Sequence, residues 1–426
     1  MMTSILQDVR YALRQLRGAP VFTLTAVLTL ALGIGSTVTM YSIVRNVLLE
    51  PLSYPEPDRL VGLALTFPQS KPNNEQAGTG ADYAMLHSRS FESFGVIGES
   101  PSGSNLSVGT GAEGHAAQIA VESVSKGYFS TLAVQPLLGR NFTAEEDLPN
   151  GPKVAILSYG LWTRLFNRDA GVLNRVVHIN GESYTVIGVM PASMHDEWGG
   201  PATDVWQPLQ LSPKDPGYEG DNYNMIARLK QGVSVAQAQQ EMDSLKDPFY
   251  KEFPMYLNWT NRAKMLHEFR VWPLKDVMAS NSRMSVLALA AAVVAVLLVA
   301  CLNLAGLMTA RSSRRAKEIA LRTALGASRS SVLRLLMTES LLLAVAGAGL
   351  GVVLARAAIP ALIAASPVPL PQMHSGLNLW VLAGFSLVVA CAATLVFGLV
   401  PALSVFRQNE GNALQSRQPE IGRAHV

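Results

Sequence analysis

At 426 residues, 49% apolar and only 15% charged, the chain is too apolar for an ordinary soluble domain and too polar to lie wholly in a membrane. Two cysteines, Cys301 and Cys391, both within apolar runs, exclude a disulfide scaffold. The net charge of +3 hides a segregation: 26 of the 31 acids lie from Glu50 to Asp276 with 18 bases, leaving 5 acids and 16 bases elsewhere. An acidic middle between basic flanks is the pattern of a membrane protein whose middle region lies outside.

Residues 1–20 open the chain with a short amphipathic helix. Ile5, Leu6, Val9, Ala12, Leu13 and Leu16 line one side, Arg10, Arg14 and Arg17 lie off it, and Gly18 and Pro20 end it. Such a helix lies in the inner membrane interface with its arginines near lipid phosphates, so membrane lipid is an expected partner. A secretory leader is the rival reading. The apolar run 21–44 is longer than a usual leader core, lacks a clear small-x-small cleavage site after it, and is long enough to cross a bilayer. It is the expected first span, with Ala31, Gly33 and Gly35 forming a small-residue face open to close approach.

From 45 to 282 no run is long and apolar enough to span. The region is rich in Gly, Pro, Ser and Asn with short β-type runs, which predicts a mixed α/β domain outside the membrane. Its clearest element is a hairpin, Val176–Ile179 and Glu182–Met190, turned by Asn180-Gly181 because both residues tolerate positive φ. Helices are predicted near Asp82–Ser90, Leu157–Phe166 and Ser234–Leu245, the last capped by Ser234 with Val235, Ala238 and Met242 on one face.

Three more spans come after it, at 284–310, 335–357 and 379–403, the last with its apolar run ending at Pro401, and 404–426 forms a tail. Asn303 lies near the inner end of the second span and bonds either locally or across helices. Gly347 and Gly351 of the third give a G-x-x-x-G spacing for close helix packing. Arg356 can snorkel outward, and a turn carrying Pro360, Pro367, Pro369 and Pro371 precedes the fourth span. Span count and charge bias put both termini on the cytoplasmic side. Glu339 sits about one turn into the third span, where an acid is costly and often functional; it serves inter-span coupling, or it stays at the interface near the helix N-terminus, within reach of Arg334 or an N-terminal arginine.

The link 311–327 between the second and third spans is the most informative stretch. With the residues just after it, it carries Arg311, Arg314, Arg315, Lys317, Arg322, Arg329 and Arg334 against Glu318 alone. Ala316, Ile319, Ala320, Thr323 and Ala324 recur on one helical face, Glu318 and Arg322 stand in the favourable acid-before-base order, Gly326 supplies a stop and Ser328 a cap. Such a helix is either gripped by a soluble partner or rests on anionic lipid.

Several chemistries are missing. No Gly-rich loop ends in Gly-Lys-Ser/Thr, so ATP chemistry falls to another chain, and no cofactor or metal is expected in this one. Gly109-x-Gly111-x-x-Gly114 matches a dinucleotide fingerprint, but a strand (Ala116–Val124) is predicted where a helix is required, which makes it a hairpin turn. His195-Asp196-Glu197 are adjacent ligand types without a metal-binding spacing, and no G-x-S-x-G elbow occurs. No nucleic-acid partner or catalytic residue is expected.

The string Arg315-Ala-Lys-Glu-Ile-Ala-Leu-Arg-Thr-Ala-Leu-Gly-Ala-Ser-Arg329, with Thr338-Glu-Ser-Leu-Leu342 beyond it, resembles the signature of MacB/FtsX-type ABC-transporter permeases. Leu28–Gly35 and Glu50–Leu60 resemble the first span of that family and the segment just past it. Val124–Phe129, Leu138–Phe142, Leu157–Trp162 and Val186–Pro191 resemble its MacB-type periplasmic core domain. The resemblance implies a four-span α-helical bundle with a two-lobed α/β domain inserted after the first span, one lobe of which meets an adaptor or cargo. It implies that 311–327 is a coupling helix docking on a cytoplasmic ABC ATPase, which holds the ATP and Mg, through Arg314, Arg315, Lys317, Glu318, Ile319, Arg322, Leu325 and Gly326. Gly33, Gly35, Glu339, Gly347 and Gly351 are then the inter-span packing and coupling residues. Because the spans hold few polar residues, the expected mechanism is mechanical transmission for export. The alternatives are a transducer controlling an outer hydrolase, or lipoprotein release. The duplicated subgroup is the nearest in pattern, so pairing with a second four-span unit is expected, as a homodimer or a duplicated half. Ile421–Val426 fits no structural pattern and resembles a reading frame of a sequencing adapter, which predicts that the natural chain continues.

Overall fold

The structure, a computed structural model, describes residues 2–98, 103–108, 115–194, 203–215, 217–260, 266–280, 283–314, 329–365 and 379–415. These divide into a helical unit, formed by the N-terminal 46 residues and most of the chain after residue 284, and a sheet-based unit between them.

Among the described residues the helical unit holds the N-terminal helix Met2–Arg17 and four helices long and apolar enough to cross a membrane, with spans at Pro20–Val44, Arg283–Arg311, Leu333–Ala358 and Leu379–Gly398. In the first span Ala26, Leu30, Ile34 and Val38 are fully buried, whereas Val21, Leu24, Leu28 and Leu32 are exposed. The two sets recur about every four residues, so one stripe meets the other helices and the opposite stripe meets lipid. Among the four spans the second is the least covered, with 6% of its apolar window buried against 39% for the first. Two proline expectations change. The third helix runs on through Pro360 to Ala365, and the fourth through Pro401 to Gln415. Membrane helices tolerate such prolines because freed carbonyls find other donors.

Among the described residues the second unit holds thirteen strands in two groups. The first lobe pairs β1 (Leu60–Thr66), β2 (Glu75–Gln76), β3 (Phe91–Gly98), β12 (Tyr223–Leu229) and β13 (Glu268–Pro273), in the order β13-β1-β12-β3, antiparallel throughout. The second contains β4 (Ser104–Val108), β5 (His115–Ile119), β6 (Val121–Val124), β7 (Leu138–Gly139), β8 (Val154–Leu157), β9 (Val176–Ile179), β10 (Glu182–Val189) and β11 (Val205–Pro208), ordered β6-β11-β8-β10-β9-β4-β5. A single paired position, Ile97 opposite Val124, joins the two groups. The second lobe is thus inserted between β3 and β12 of the first.

The Val176 hairpin forms with Asn180 at φ 49° and Gly181 at φ 86°. Ser234 caps a helix through a reciprocal box with Gln237. That helix does not stop near Leu245; it passes Pro248 and reaches Glu252 because Phe249 and Tyr250 are drawn into the first lobe's core. Leu157 belongs to β8, and Ser158 starts the next helix at Tyr159 by accepting from the Leu161 amide. The helix expected at Asp82–Ser90 lies slightly earlier, at Gly78–His87. The predicted strand Ala116–Val124 is two, β5 and β6, broken at Ala120. Val108 lies opposite His115, so the intervening Gly109–Gly114 motif, itself outside the described residues, joins two antiparallel strands.

The second lobe also explains the Leu138-Gly-Arg motif. Gly139 has φ 77°, and a β-carbon there would stand 2.1 Å from the Ile187 carbonyl oxygen, so only glycine lets β7 lie on β10. Arg140 then grips the buried Glu146 carboxylate with two bonds of 2.9 and 2.7 Å, and the Thr143 amide donates a third of 2.8 Å. The Arg140 hydrogen bond, outweighing burial, holds Glu146 below the usual carboxylate range. A depressed folded-state pKa means stability that is complete above the ordinary value of about 4.3 and lost as pH falls through the folded value. Glu146→Gln is therefore expected to lower the melting temperature near neutrality, with the gap to the parent chain closing in acid; a pH series of thermal melts checks it.

Candidate functional site: the membrane bundle and its junctions

Small residues let the first and third spans touch through their backbones. A β-carbon on Gly35 would lie 3.0 Å from the Gly351 oxygen, and one on Gly351 would lie 3.0 Å from the Gly35 nitrogen and 3.1 Å from the Ala31 oxygen. One turn along, a β-carbon on Gly347 would meet that of Leu30 at 2.6 Å. Gly33 faces the second span instead, where Leu297 stands 2.9 Å from its β-position. The hydroxyls of Thr37, Thr39 and Ser42 donate to the carbonyls of Gly33, Gly35 and Val38 within their own helix. The seam is thus held by close packing, which is how helices associate where lipid removes any hydrophobic drive. Tyr41 stacks on Phe385 of the fourth span at 3.9 Å.

A polar node joins the C-terminal end of the second-span helix to the N-terminal part of the third. Arg311 ends the second span, and its guanidinium lies 3.0 Å from the Glu339 carboxylate of the third, with the two side chains only 14% and 7% exposed. Arg311 also donates to the Gln15 carbonyl at 2.9 Å and lies 4.6 Å over the Phe22 ring. One side chain therefore ties the N-terminal helix and the first, second and third spans. Gln15 is in the last turn of its helix, where free carbonyls carry negative partial charge and attract a cation. Arg311 was not among the neighbours that the interface reading offered for Glu339, which were Arg334 and an N-terminal arginine. Arg334 is five positions back on the same helix, about 140° round it, and bonds Asp8 at 2.6 Å. Asn303 and Arg356 are exposed on their helices.

Of the expected coupling-helix residues, Arg315, Lys317, Glu318, Ile319, Arg322, Leu325 and Gly326 lie outside the described residues, and Arg314 is the last residue of the second-span helix. His195–Glu197 and Ile421–Val426 lie outside them too. Among the described residues no three His, Cys, Asp or Glu side chains converge as a metal site requires.

A second junction, in the sheet-based unit, receives the segment that leaves the first span. Leu49 accepts a bond of 2.8 Å from Lys275, whose helix continues from β13. The chain then runs through the buried Tyr54 to Glu56, which sits between two prolines at φ 48°. Arg228 on β12, only 3% exposed, donates to the carbonyls of Pro55 (3.0 Å) and Glu56 (3.5 Å) and, on its other side, of Thr131 (2.8 Å). Burial, reinforced by Arg59, pushes Arg228 below the usual arginine range against the pull of Glu56 and Glu92. Sequence reading missed Arg228. Its one signal was a charge in the otherwise apolar run Met225–Leu229.

Four membrane-length helices with a large α/β domain inserted after the first define a multi-pass membrane protein of the permease class. The chain belongs to the MacB/FtsX-type ABC-transporter permease family: the MacB-like periplasmic core domain profile matches residues 23–245, more than half of it, and the FtsX-like permease C-terminal profile matches 290–409. It is 26% identical over 298 residues to the pyoverdine export ATP-binding/permease protein PvdT of Pseudomonas syringae pv. syringae, covering 68% of this chain and 42% of that one. It is 24% identical over 296 residues to the macrolide export ATP-binding/permease protein MacB of Chromobacterium violaceum, covering 69% and 43%. The chain thus spans less than half the length of these relatives. The solved periplasmic region of MacB from Actinobacillus actinomycetemcomitans is also similar, at 13% identity and a TM-score of 0.35, covering 52% of this chain and 90% of that one.

Proposed function

We propose that the chain is the membrane subunit of an ABC export system, driven by an ATPase subunit that binds ATP and Mg and grips the 311–327 link from the cytoplasm. The observation that carries this is the Arg311–Glu339 pair. It closes the base of the link, so a push on the link reaches two spans directly and the N-terminal helix through Gln15. The bundle is then a lever for the inserted domain, which faces outward, with both termini inside. Such coupling requires a shared element that both faces bias, and the node with its glycine seam is that element. The sparse cover on the second span leaves an apolar flank for lipid or a second four-span unit. The outer domain offers its lobes to an adaptor or the cargo.

Affinity capture of the tagged chain from membranes tests this. The parent is expected to bring down an ABC ATPase, and a Glu318→Ala/Arg322→Ala variant of equal abundance to lose it. Equal capture by both would remove the coupling role of the link. Recovery of a cell-wall hydrolase in place of an adaptor would convert the exporter into a transducer. Labelling of Lys317 by an impermeant reagent from outside intact cells would refute the orientation.

A further inference from the structure

Both covalent routes from the outer unit to the spans leave from the first lobe. β1 comes after the first span, β13 precedes the second, and the two strands pair along Val61–Thr66. The second lobe has no direct connection to any span. Besides the two chain crossings, it meets the first lobe through the Ile97–Val124 pairing, the Ser125 contacts with Val96, and a shared apolar core in which Leu60, Ile226 and Leu274 of the first lobe lie with Phe129, Leu132 and Trp206 of the second. Its first helix, Tyr128–Leu132, packs on β3, where a β-carbon on Gly127 would stand 2.0 Å from the Phe94 carbonyl oxygen. Arg228 adds a polar link across this boundary. One edge of its guanidinium holds the chain arriving from the membrane, at Pro55 and Glu56, and the other holds Thr131 of that helix.

The segment it holds is itself strained. Glu56 has φ 48° and ψ 57°, a left-handed conformation that carries a cost for a residue with a β-carbon and is further disfavoured before a proline. Such a conformation persists only where its surroundings over-determine it. Here they do: Arg228 bonds the Glu56 carbonyl, while Arg59 pairs with the Glu56 carboxylate, with Glu92 of β3 and, through its Nε at 2.8 Å, with the Leu229 carbonyl. A planar guanidinium with five fixed donors can hold three carbonyls in a set relation; a lysine ammonium cannot.

We infer that Arg228 is the positioning residue that passes displacement of the segment leaving the first span to the second lobe. It makes Pro55–Glu56, β12 and the Tyr128–Leu132 helix move as one piece. This deepens the mechanical reading above and rests on it for its use, but its test does not need the motor.

The test uses the full chain in nanodiscs, with Cys301 and Cys391 changed to Ala and spin labels at Lys251→Cys on the first lobe and Val176→Cys on the second. Pulsed dipolar spectroscopy on the parent is expected to give one narrow inter-lobe distance. Arg228→Lys and Arg228→Met are expected to broaden it and add a second, longer population, while near-ultraviolet circular dichroism stays native. Native spectra with an unchanged distribution in both variants would overturn the assignment. So would loss of native spectra in both, because Arg228 would then only maintain the fold. Wild-type distances unaltered by ATP turnover, with the ATPase bound, would instead sink the transmission reading and leave the clamp in place.

Discussion

Arg311→Met is expected to destabilise the bundle by more than about 1 kcal/mol, because it removes a guanidinium that lies 3.0 Å from the buried Glu339 carboxylate. The same change removes the Gln15 bond and the Phe22 contact, so the N-terminal helix should become more accessible to protease. Glu339→Gln alone should cost less, since Arg311 keeps both of those contacts. The double variant should recover much of the loss, as replacing a whole buried ion pair is far milder than halving it. The measurement is a double-mutant cycle by denaturant titration in mixed micelles. Strictly additive losses would mean that the 3.0 Å contact couples nothing.

Gly351→Leu should be at least as damaging. Its β-carbon would press on the Gly35 nitrogen at 3.0 Å and the Ala31 oxygen at 3.1 Å, and backbone atoms in a helix cannot step aside. The first and third spans must part, at a cost beyond the roughly 1–3 kcal/mol of ordinary overpacking, since the whole seam opens. Gly349→Leu supplies the control. It lies two residues away in the same helix, and nothing stands within 4 Å of its β-position. The expected outcome is near-parental melting in detergent for Gly349→Leu and early aggregation for Gly351→Leu. Indistinguishable melting curves for the two would show that the glycine seam does not hold the bundle.

How much of this the sequence announced depends on the range of the interaction. Local chemistry was legible: the Ser234 cap, the Asn180-Gly181 turn and the four apolar runs each arise from a few neighbouring residues. The glycines of the first and third spans were legible as small faces, though not as partners, because a spacing within one helix carries no address for the other. Glu339 stood out as a charge in an apolar run, yet its partner did not. Arg311, twenty-eight positions earlier, sits among six other nearby bases, and only the antiparallel return of the chain selects it. Arg228 was the least visible. Its acceptors are main-chain carbonyls at 55, 56 and 131, and carbonyls leave no mark in a sequence. The run of helix past Pro248, Pro360 and Pro401 was hidden for a related reason: the local penalty of proline is printed in the chain, whereas the burial or solvent that outweighs it is not.

Gly98, the last residue of β3, lies directly opposite Tyr223, the first residue of β12. The stretch between them is thus spliced into a hairpin of the first lobe without shifting its register, and its last part bonds back to that lobe through Tyr218 to Gly78 and through Glu219 to Thr79 and Tyr256. A domain so arranged can lengthen or shorten its distal part between two positions that are neighbours in space, while the strands that frame it keep their pairing.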